Sequence, residues 1–322
     1  MAAMPSLLLA WYDAGHRQLP WRESTRLYPV WLSEIMLQQT RVEAVIPYFH
    51  RFLDRFPDID ALAAAVEPDV LAAWSGLGYY SRARLLHRAV RQVASDGPPS
   101  SLAELRALPG VGEYTAAAIG SIVLGLPVAC VDGNVLRVVS RVTNDGADIS
   151  RPATLKRFQA TAQQWLDPLR PGDFNQAIME LGATLCTPRN PACGRCPVVP
   201  ICGAHAAGTQ HELPVKIRRA EVRETALDVL ILLRRGKVYL LPRAAAEKRL
   251  AGFWELPGKS AVADAHAEAV GNFTHQIVND RYRVTVWKGR PPAGRLCGGR
   301  WFSPAELSQT PVTTVTRKAL NT

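Results

Sequence analysis

Apolar residues recur every three or four positions along the first two thirds of the chain, which is the spacing of a helix with one buried face. The clearest stretches span residues 30–37, 61–74, 85–93, 114–124 and 177–185. Short breaks that contain glycine or proline separate them, as at residues 76–78 and 109–112. We therefore predict that residues 1–205 form an all-α region.

The pattern changes near residue 208. Residues 224–234 and 237–243 are rich in Val, Leu, Ile and Tyr, and Arg235-Gly236 lies between them as a turn. Residues 281–288 alternate apolar and polar side chains, which is typical of a strand with one buried face. The predicted fold is thus an all-α region, a linker over residues 206–221 and a small α+β domain over residues 222–322.

The positive charge is concentrated at the C-terminal end of the 322-residue chain. The net charge is +10, yet residues 1–212 hold 19 basic and 19 acidic residues, whereas residues 213–322 hold 19 basic and 9 acidic ones. A basic segment of this size favours a polyanionic partner such as DNA or RNA. Solubility alone is the simpler explanation, and charge does not decide between the two.

The sequence contains no convincing membrane or export segment. The N-terminal apolar stretch is only a few residues long and has no basic residues before it, so we expect no signal peptide. The longest uncharged run covers residues 114–131, is interrupted by Gly120 and Pro127, and is shorter than the ~20 residues that span a bilayer. We expect a buried helix there and a cytoplasmic protein.

Four of the six cysteines are clustered. Cys186, Cys193, Cys196 and Cys202 follow the spacing Cys-x6-Cys-x2-Cys-x5-Cys, while Cys130 and Cys297 lie elsewhere. Four thiolates in so short a loop suit a tetrahedral metal or an iron–sulfur cubane. Structural zinc usually uses two Cys-x2-Cys pairs, and only one is present, so zinc is the weaker alternative. Disulfides are weaker still without evidence of export.

The cysteine spacing closely resembles the [4Fe–4S] loop of the endonuclease III and adenine DNA glycosylase superfamily. A second motif agrees with it. Ser101 and Glu104 predict a capping box for a short helix, and the string LPGVGEYTAAAI that follows resembles the DNA-binding hairpin of that superfamily, at about residues 101–125. Gly110 and Gly112 are expected to let the backbone approach a phosphate.

Two carboxylates stand in strings that resemble adenine DNA glycosylases of the MutY type. Breaking an N-glycosidic bond calls for an acid to protonate the leaving base and a carboxylate to stabilise the cationic sugar. Glu34 lies in WLSEIMLQQTRV, and Asp132 lies in VDGNVLRV, twenty residues after Gly112. The resemblance implies that Glu34 is the acid and Asp132 the stabilising carboxylate or a transient nucleophile, with Tyr114 and Asn134 in support.

The same resemblance implies residues that probe the duplex. Gln39 follows the helix of the acid, and Tyr79 lies in GLGYYSR; both match family residues that wedge into DNA opposite the flipped base. Core packing is the alternative for both side chains.

The hairpin carries no lysine. Related lyases use a lysine at the position of Tyr114 to form a Schiff base, and residues 1–212 contain a single lysine, Lys156, outside the hairpin. Arginine does not replace that amine as a nucleophile. The sequence therefore predicts a monofunctional glycosylase in which water attacks the sugar.

The C-terminal domain resembles the Nudix-like domain with which MutY-type enzymes read 8-oxoguanine. The string LAGFWELPG is similar to the family's entry to that fold, and Phe273-Thr274-His275 matches its Phe-Ser-His loop with threonine in place of serine. Only Asp264 and Glu268 are acidic in the stretch that follows LAGFWELPG, so we expect recognition by Thr274 and His275 and no Nudix hydrolysis.

Together these features predict a monomeric enzyme that acts on double-stranded DNA containing adenine opposite 8-oxoguanine or guanine. A mismatch thymine or uracil glycosylase on the same scaffold is one alternative, and a non-catalytic, cluster-bearing DNA-binding module is another. The C-terminal domain and the string around Glu34 disfavour the first, and the presence of both carboxylates disfavours the second. A nucleotide pyrophosphohydrolase is disfavoured by the missing Nudix glutamates.

Overall fold

The structure is a computed structural model that describes residues 3–217, 223–243, 250, 252–261, 266–277, 279–292, 296 and 298–322. Asp264 and Cys297 lie outside the described residues, as do residues 218–221 of the predicted linker and residue 222. The chain forms two compact units: Met1–Ala65 with Arg82–Arg218, and Val66–Ser81 with Arg219–Thr322. The sequence pattern gave no sign that residues 66–81 would group with the C-terminal part.

The N-terminal two thirds of the described chain is helical, as the 3.6-residue pattern predicted. In chain order the α-helices are α1 (Ala3–Gly15), α2 (Leu27–Leu37), α3 (Val42–Arg55), α4 (Ile59–Ala64), α5 (Glu67–Ala73), α6 (Ser81–Asp96), α7 (Leu102–Ala107), α8 (Glu113–Val123), α9 (Gly133–Val142), α10 (Pro152–Trp165), α11 (Pro171–Thr184) and α12 (Gly203–Ala207). Short 3-10 turns lie at Pro20–Arg22, Cys193–Arg195 and Val199–Ile201.

One predicted helix was wrong in its extent. Residues 61–74 do not form a single helix, because the chain leaves the helical conformation at Ala65, which is extended, and begins again at Glu67. Pro68 lies in the first turn of α5. A proline lacks the amide N–H that a continuous helix would need there, and its ring would clash with the carbonyl group four residues earlier.

The core of the first unit forms where α9, α10 and α11 pack with α1, with large buried side chains such as Phe158 and Phe174. Helices α9 and α11 approach closely at Gly182. A Cβ atom at that position would lie 2.6 Å from the Cβ atom of Asn134, so only glycine permits this approach. The contact fixes α11 against the N-terminal turn of α9.

The predicted hairpin consists of α7, a tight turn and α8. Gly110 adopts a φ of 80°, and a Cβ atom there would lie 2.7 Å from that of Leu85, so this glycine is required by both backbone and space. Gly112 caps α8 in an extended conformation with open space around it. The capping box is only half formed: Ser101 accepts from the Glu104 amide, but the Glu104 carboxylate accepts from Ser100 instead.

The second unit contains the predicted mixed sheet. Its strands are β1 (Arg223–Arg234), β2 (Lys237–Pro242), β3 (Trp254–Glu255), β4 (Ala267–Ile277), β5 (Asp280–Gly289) and β6 (Arg300–Phe302), followed by the helices α13 (Pro304–Gln309) and α14 (Thr314–Leu320). The order is β3-β2-β1-β5-β4, with β6 also paired to β2. Strands β1 and β5 run parallel, and the other pairs are antiparallel.

The β1–β2 hairpin turns at Arg235 and Gly236, whose φ values of 50° and 72° match the two left-handed positions of a type I′ turn. Strands β3, β4 and β6 were not predicted. The described part of the chain contains no helix that combines the length and the apolar character needed to cross a bilayer.

Candidate active site and iron–sulfur loop

A cavity of about 550 Å³ opens in the first unit and collects the predicted catalytic residues. Glu34, Tyr114, Asp132 and Asn134 all line it, and Gln39 lies on its wall. These residues come from α2, α8, α9 and the turn after α2, segments separated by up to about a hundred positions in sequence. The volume falls in the range of about 300–1,000 Å³ that is usual for small-ligand sites.

Glu34 is a buried carboxylic acid on the inner face of α2, where seven of its helix neighbours are also buried. The pKa of Glu34 is raised to about 7, chiefly by burial; the negative charge of Asp132 adds to the rise, while the Tyr114 hydroxyl and Arg22 oppose it. Because burial dominates, the side chain holds a proton at near-neutral pH in a cavity that a ligand can enter.

Tyr114 faces the Glu34 carboxyl from the first turn of α8. Its hydroxyl lies 3.1 Å from the Met179 sulfur, and its interaction with Glu34 lowers the pKa of that acid. Burial, followed by the nearby Glu34, raises the pKa of Tyr114 well above its ordinary value. The phenol therefore remains a neutral donor beside the acid.

Asp132 is the N-cap of α9, which explains its fixed orientation. One carboxylate oxygen accepts from the Val135 amide at 2.8 Å, and the other accepts from the Asn134 side-chain amide at 2.9 Å. The Asn134 carbonyl oxygen in turn accepts from Arg137 at 2.8 Å. The carboxylate is thus held at the cavity by the start of its own helix.

Two buried arginines on α9 connect that helix to the cysteine loop. Arg137 donates to the carbonyl oxygens of Cys186 at 2.7 Å and Gly182 at 2.8 Å. Arg141, one turn further along, donates to the Thr187 carbonyl at 2.7 Å and lies 3.3 Å from the Cys186 sulfur. A continuous series of hydrogen bonds therefore runs from Asp132 through Asn134 and Arg137 to the cysteine loop.

The four clustered cysteines converge on one small cavity, together with apolar side chains of α9 and α11. None of the five described cysteines forms a disulfide. Among the described residues, no three His, Cys, Asp or Glu side chains are close enough to hold a single metal ion. Zinc would need its four sulfurs within roughly 4 Å of each other, whereas a cubane separates its ligands more widely.

The donor set fits an iron–sulfur cluster: four thiols face one apolar cavity, and the Arg141 guanidinium stands beside one sulfur. Cys186, Cys193, Cys196 and Cys202 would hold the cluster. When bound, it would join four points of an otherwise irregular loop and so add folding free energy. Cys130 is buried near Ser121 and Tyr114, away from this loop.

The sequence did not point to a charged cluster at the mouth of the cavity. Glu180 of α11 accepts from Arg17 at 2.7 and 2.9 Å and from Arg22 at 2.9 Å. Burial pushes the pKa of Glu180 up, but its two arginine partners lower it on balance, so the side chain is ionised. In the sequence, the signal for this cluster was one acidic residue, Glu180, inside the apolar stretch 177–185.

The two predicted duplex-probing residues share an unusual backbone. Gln39 has a φ of 60° and Tyr79 a φ of 48°, and both side chains are exposed. Left-handed dihedrals are costly for residues other than glycine and are found where the surroundings fix a functional conformation. Core packing, the alternative considered for both, is excluded by their exposure.

Thr274 and His275 were expected in a loop, and that expectation was wrong. Both lie within β4, where Thr274 pairs with Arg283 and His275 pairs with Tyr282 of β5. Neighbouring residues of a strand point to opposite faces. Thr274 is exposed, whereas His275 is half-buried, and burial together with Lys318 of α14 lowers its pKa.

Comparison with known proteins agrees with this geometry. Residues 32–164 match the family model of the HhH-GPD superfamily base excision DNA repair protein. Residues 186–202 match the iron–sulfur binding domain of endonuclease III, which confirms the expected iron–sulfur cofactor.

Two curated relatives of this chain carry the same name, adenine DNA glycosylase. The chain is 45% identical over 240 residues to the adenine DNA glycosylase of Mus musculus, covering 71% of this chain and 47% of the relative. It is 41% identical over 202 residues to the adenine DNA glycosylase of Mycolicibacterium smegmatis (strain ATCC 700084 / mc(2)155), covering 62% and 68%. The chain spans about half the length of the mouse relative.

The fold of the helical part is also known. The structure of a thermostable thymine-DNA glycosylase superposes with a TM-score of 0.58 and 24% identity, over 64% of this chain and 96% of that one. At this identity the likeness establishes a shared fold and does not extend to the substrate.

Replacement of one cluster ligand should remove the cofactor while replacement of Cys130 should not. We expect Cys196→Ser to lose most iron and the yellow-brown absorbance, because three thiolates cannot complete the cubane. Cys130→Ser should keep about four irons per chain. The measurement is iron and zinc content beside the visible spectrum; one zinc and no iron in the unsubstituted protein would contradict the assignment.

Proposed function

The chain belongs to the adenine DNA glycosylase family, and from this premise we propose that it is a monofunctional DNA glycosylase. Its proposed substrate is adenine paired with 8-oxoguanine, or with guanine, in double-stranded DNA, and its proposed working form is a monomer. The observation that carries the proposal is the buried Glu34, with a pKa of about 7, in the same cavity as Asp132.

Glu34 acts as the general acid. Its carboxyl proton passes to N7 of the flipped adenine, and the electrons of the N-glycosidic bond leave with the base as that bond breaks. The sugar becomes cationic at C1′. The Asp132 carboxylate stabilises that charge, and the two hydrogen bonds that orient it support this role because they are in place before the reaction.

Water completes the reaction. It adds to C1′ and gives up a proton, which leaves an abasic site and an intact strand. Among the described residues, none that lines the cavity is a lysine, and Tyr114 stands at the hairpin position where related lyases carry one. This supports a hydrolytic route without a Schiff base.

Adenine is a normal base, so selectivity has to come from the base opposite. We assign that recognition to the second unit, which carries Thr274 and His275. The exposed Thr274 hydroxyl, with Arg283 beside it on β5, is suited to meet the carbonyl oxygen and N–H that distinguish 8-oxoguanine from guanine. His275 lies on the opposite face of β4 and is half-buried, so we assign it to the packing of that strand.

Binding to the duplex is assigned to several further groups. The hairpin around Gly110 and Gly112 offers main-chain amides at the start of α8 to a phosphate. Gln39 and Tyr79 are each assigned to wedge into the duplex opposite the flipped base. The basic charge of the C-terminal third supports the same partner.

The pH dependence of excision should follow the ionisation of the Glu34 carboxyl group. Because the acid must be protonated, the single-turnover rate should be highest below about pH 7 and fall roughly tenfold per unit above it. Glu34→Gln should bind the duplex and lose nearly all excision at every pH, because an amide has no proton to give. A Glu34→Gln rate close to that of the unsubstituted protein would remove Glu34 from the acid role.

The product should be an abasic site. We expect strand cleavage only after alkali or heat, and little covalent complex on borohydride reduction, because the cavity is lined by no lysine in the part of the chain that the structure describes. The assay presents A, T, U and C opposite G and opposite 8-oxoguanine. Excision of thymine or uracil in preference to adenine would favour a mismatch glycosylase, and efficient borohydride trapping at a lysine would place the chain among the lyases.

Thr274 and His275 should behave differently when changed separately. Thr274→Ala removes an exposed hydroxyl, so we expect the preference for 8-oxoguanine over guanine to fall severalfold with no loss of thermal stability. His275→Ala should mainly lower the midpoint of thermal unfolding. The exposed Asn272, two residues before Thr274 on the same face, gives the control Asn272→Ala. An unchanged preference in Thr274→Ala would rule out this hydroxyl as the reader.

A further inference from the structure

Arg82 is a buried arginine near the start of α6 that reaches the end of the helix carrying Glu34. One terminal nitrogen of its guanidinium lies 2.7 Å from the carbonyl oxygen of Ile35 and 2.9 Å from that of Met36, and it shares its two N–H hydrogens between these and the carbonyl oxygen of Gln38. A second nitrogen of the same guanidinium lies 3.3 Å from the Thr40 hydroxyl oxygen. One planar group therefore contacts four acceptors in a six-residue segment.

These acceptors need a partner. The last four carbonyls of a helix have no partner within the helix, and the carbonyls at the end of α2 belong to the buried residues Ile35 and Met36. A cation at the C-terminus of a helix is also favoured by the helix dipole. Arg82 therefore supplies hydrogen-bond donors to carbonyl oxygens at the end of α2 that are buried away from water.

The turn held in this way is the one that carries Gln39. Residues 37–40 line the cavity, and Gln39 has a φ of 60°, a conformation that persists in a residue other than glycine only when its surroundings fix it. Arg82 contacts the residues on both sides of Gln39 and does not line the cavity itself.

We propose that Arg82 is a positioning residue that fixes the 37–40 turn, and that it thereby holds Gln39 ready to enter the duplex. The inference rests on the proposed function, because it assumes that Gln39 contacts DNA. It extends that function because it names the residue that keeps a DNA-probing side chain in place. That residue, Arg82, contacts neither DNA nor the reacting atoms in this proposal.

The natural control lies nine residues, or about two and a half turns, further along the same helix. Arg91 donates to the carbonyls of Ala63 at 3.1 Å and Ala65 at 3.0 Å, so it also contacts the end of a helix, α4, although Arg91 is exposed and Arg82 is buried. Neither of those alanines lines the cavity. Lysine keeps the charge at either position but has a single nitrogen, whereas the arginine at each position uses two nitrogens to contact its acceptors.

The first test uses no DNA. Amide hydrogen exchange is measured for the segment 37–41 in the cluster-loaded protein and in the variants Arg82→Lys and Arg91→Lys. We expect exchange there to become roughly tenfold faster in Arg82→Lys, the size of effect that loss of charged hydrogen bonds allows. It should be unchanged in Arg91→Lys. Unchanged exchange in Arg82→Lys would overturn the proposal.

The second test measures binding to a duplex with adenine opposite 8-oxoguanine, in a Glu34→Gln background that prevents turnover. Arg82→Lys should weaken binding about tenfold, and the double variant with Gln39→Ala should bind no more weakly than Gln39→Ala alone. With Glu34 restored, the rate at saturating protein should change far less than the affinity. Fully additive effects, or wild-type affinity in Arg82→Lys, would overturn the proposal.

Two further outcomes separate the possible failures. If the lesion duplex binds no more tightly than undamaged DNA in the unsubstituted protein, the proposed function fails, and the exchange measurement still decides whether Arg82 holds the turn.

If Arg82→Lys does not yield folded, cluster-loaded protein, Thr40→Ala removes one acceptor of Arg82. That variant should speed exchange at residues 37–41 about threefold, and no change would count against Arg82.

Discussion

The burial of one carboxylic acid is the constraint around which the helical unit is arranged. Raising the pKa of Glu34 from 4.5 to about 7 corresponds to about 3 kcal/mol of preference for the protonated form. That preference exists only while α2 keeps the side chain away from water. Tyr114 and Asp132 share the same enclosed space, and the 37–40 turn closes one wall of it.

Helix α9 joins the site to the iron–sulfur loop. Its N-cap is Asp132, and its next turns carry Arg137 and Arg141, whose guanidinium groups satisfy carbonyls of the loop that holds Cys186. A buried guanidinium is tolerated only when its donors are paired. The position of the carboxylate and the path of the loop are therefore fixed by the same ten-residue helix. We therefore expect disorder in the loop to displace the Asp132 carboxylate at the cavity.

Much of this could be predicted from the sequence because the signals are local. Helical periodicity marked six helices, α2, α4, α5, α6, α8 and α11, and three strands of the sheet follow from their apolar residues and from the Arg235-Gly236 turn. The four cysteines, the hairpin string and both carboxylates stand in short motifs, and the chemistry of base removal explains why an acid and a carboxylate are needed together. Charge composition likewise placed the basic surface in the C-terminal third.

Tertiary structure decided what depends on partners distant in sequence. Glu34 becomes an acid near neutrality only because α8 and α9 enclose it, and periodicity alone could not show that burial. Glu180 and Arg82 are ordinary charged residues in the sequence, and their roles follow from carbonyls and guanidinium groups up to 163 positions away. Strand pairing placed Thr274 and His275 on opposite faces of β4, because alternation along a strand is fixed once its register is set.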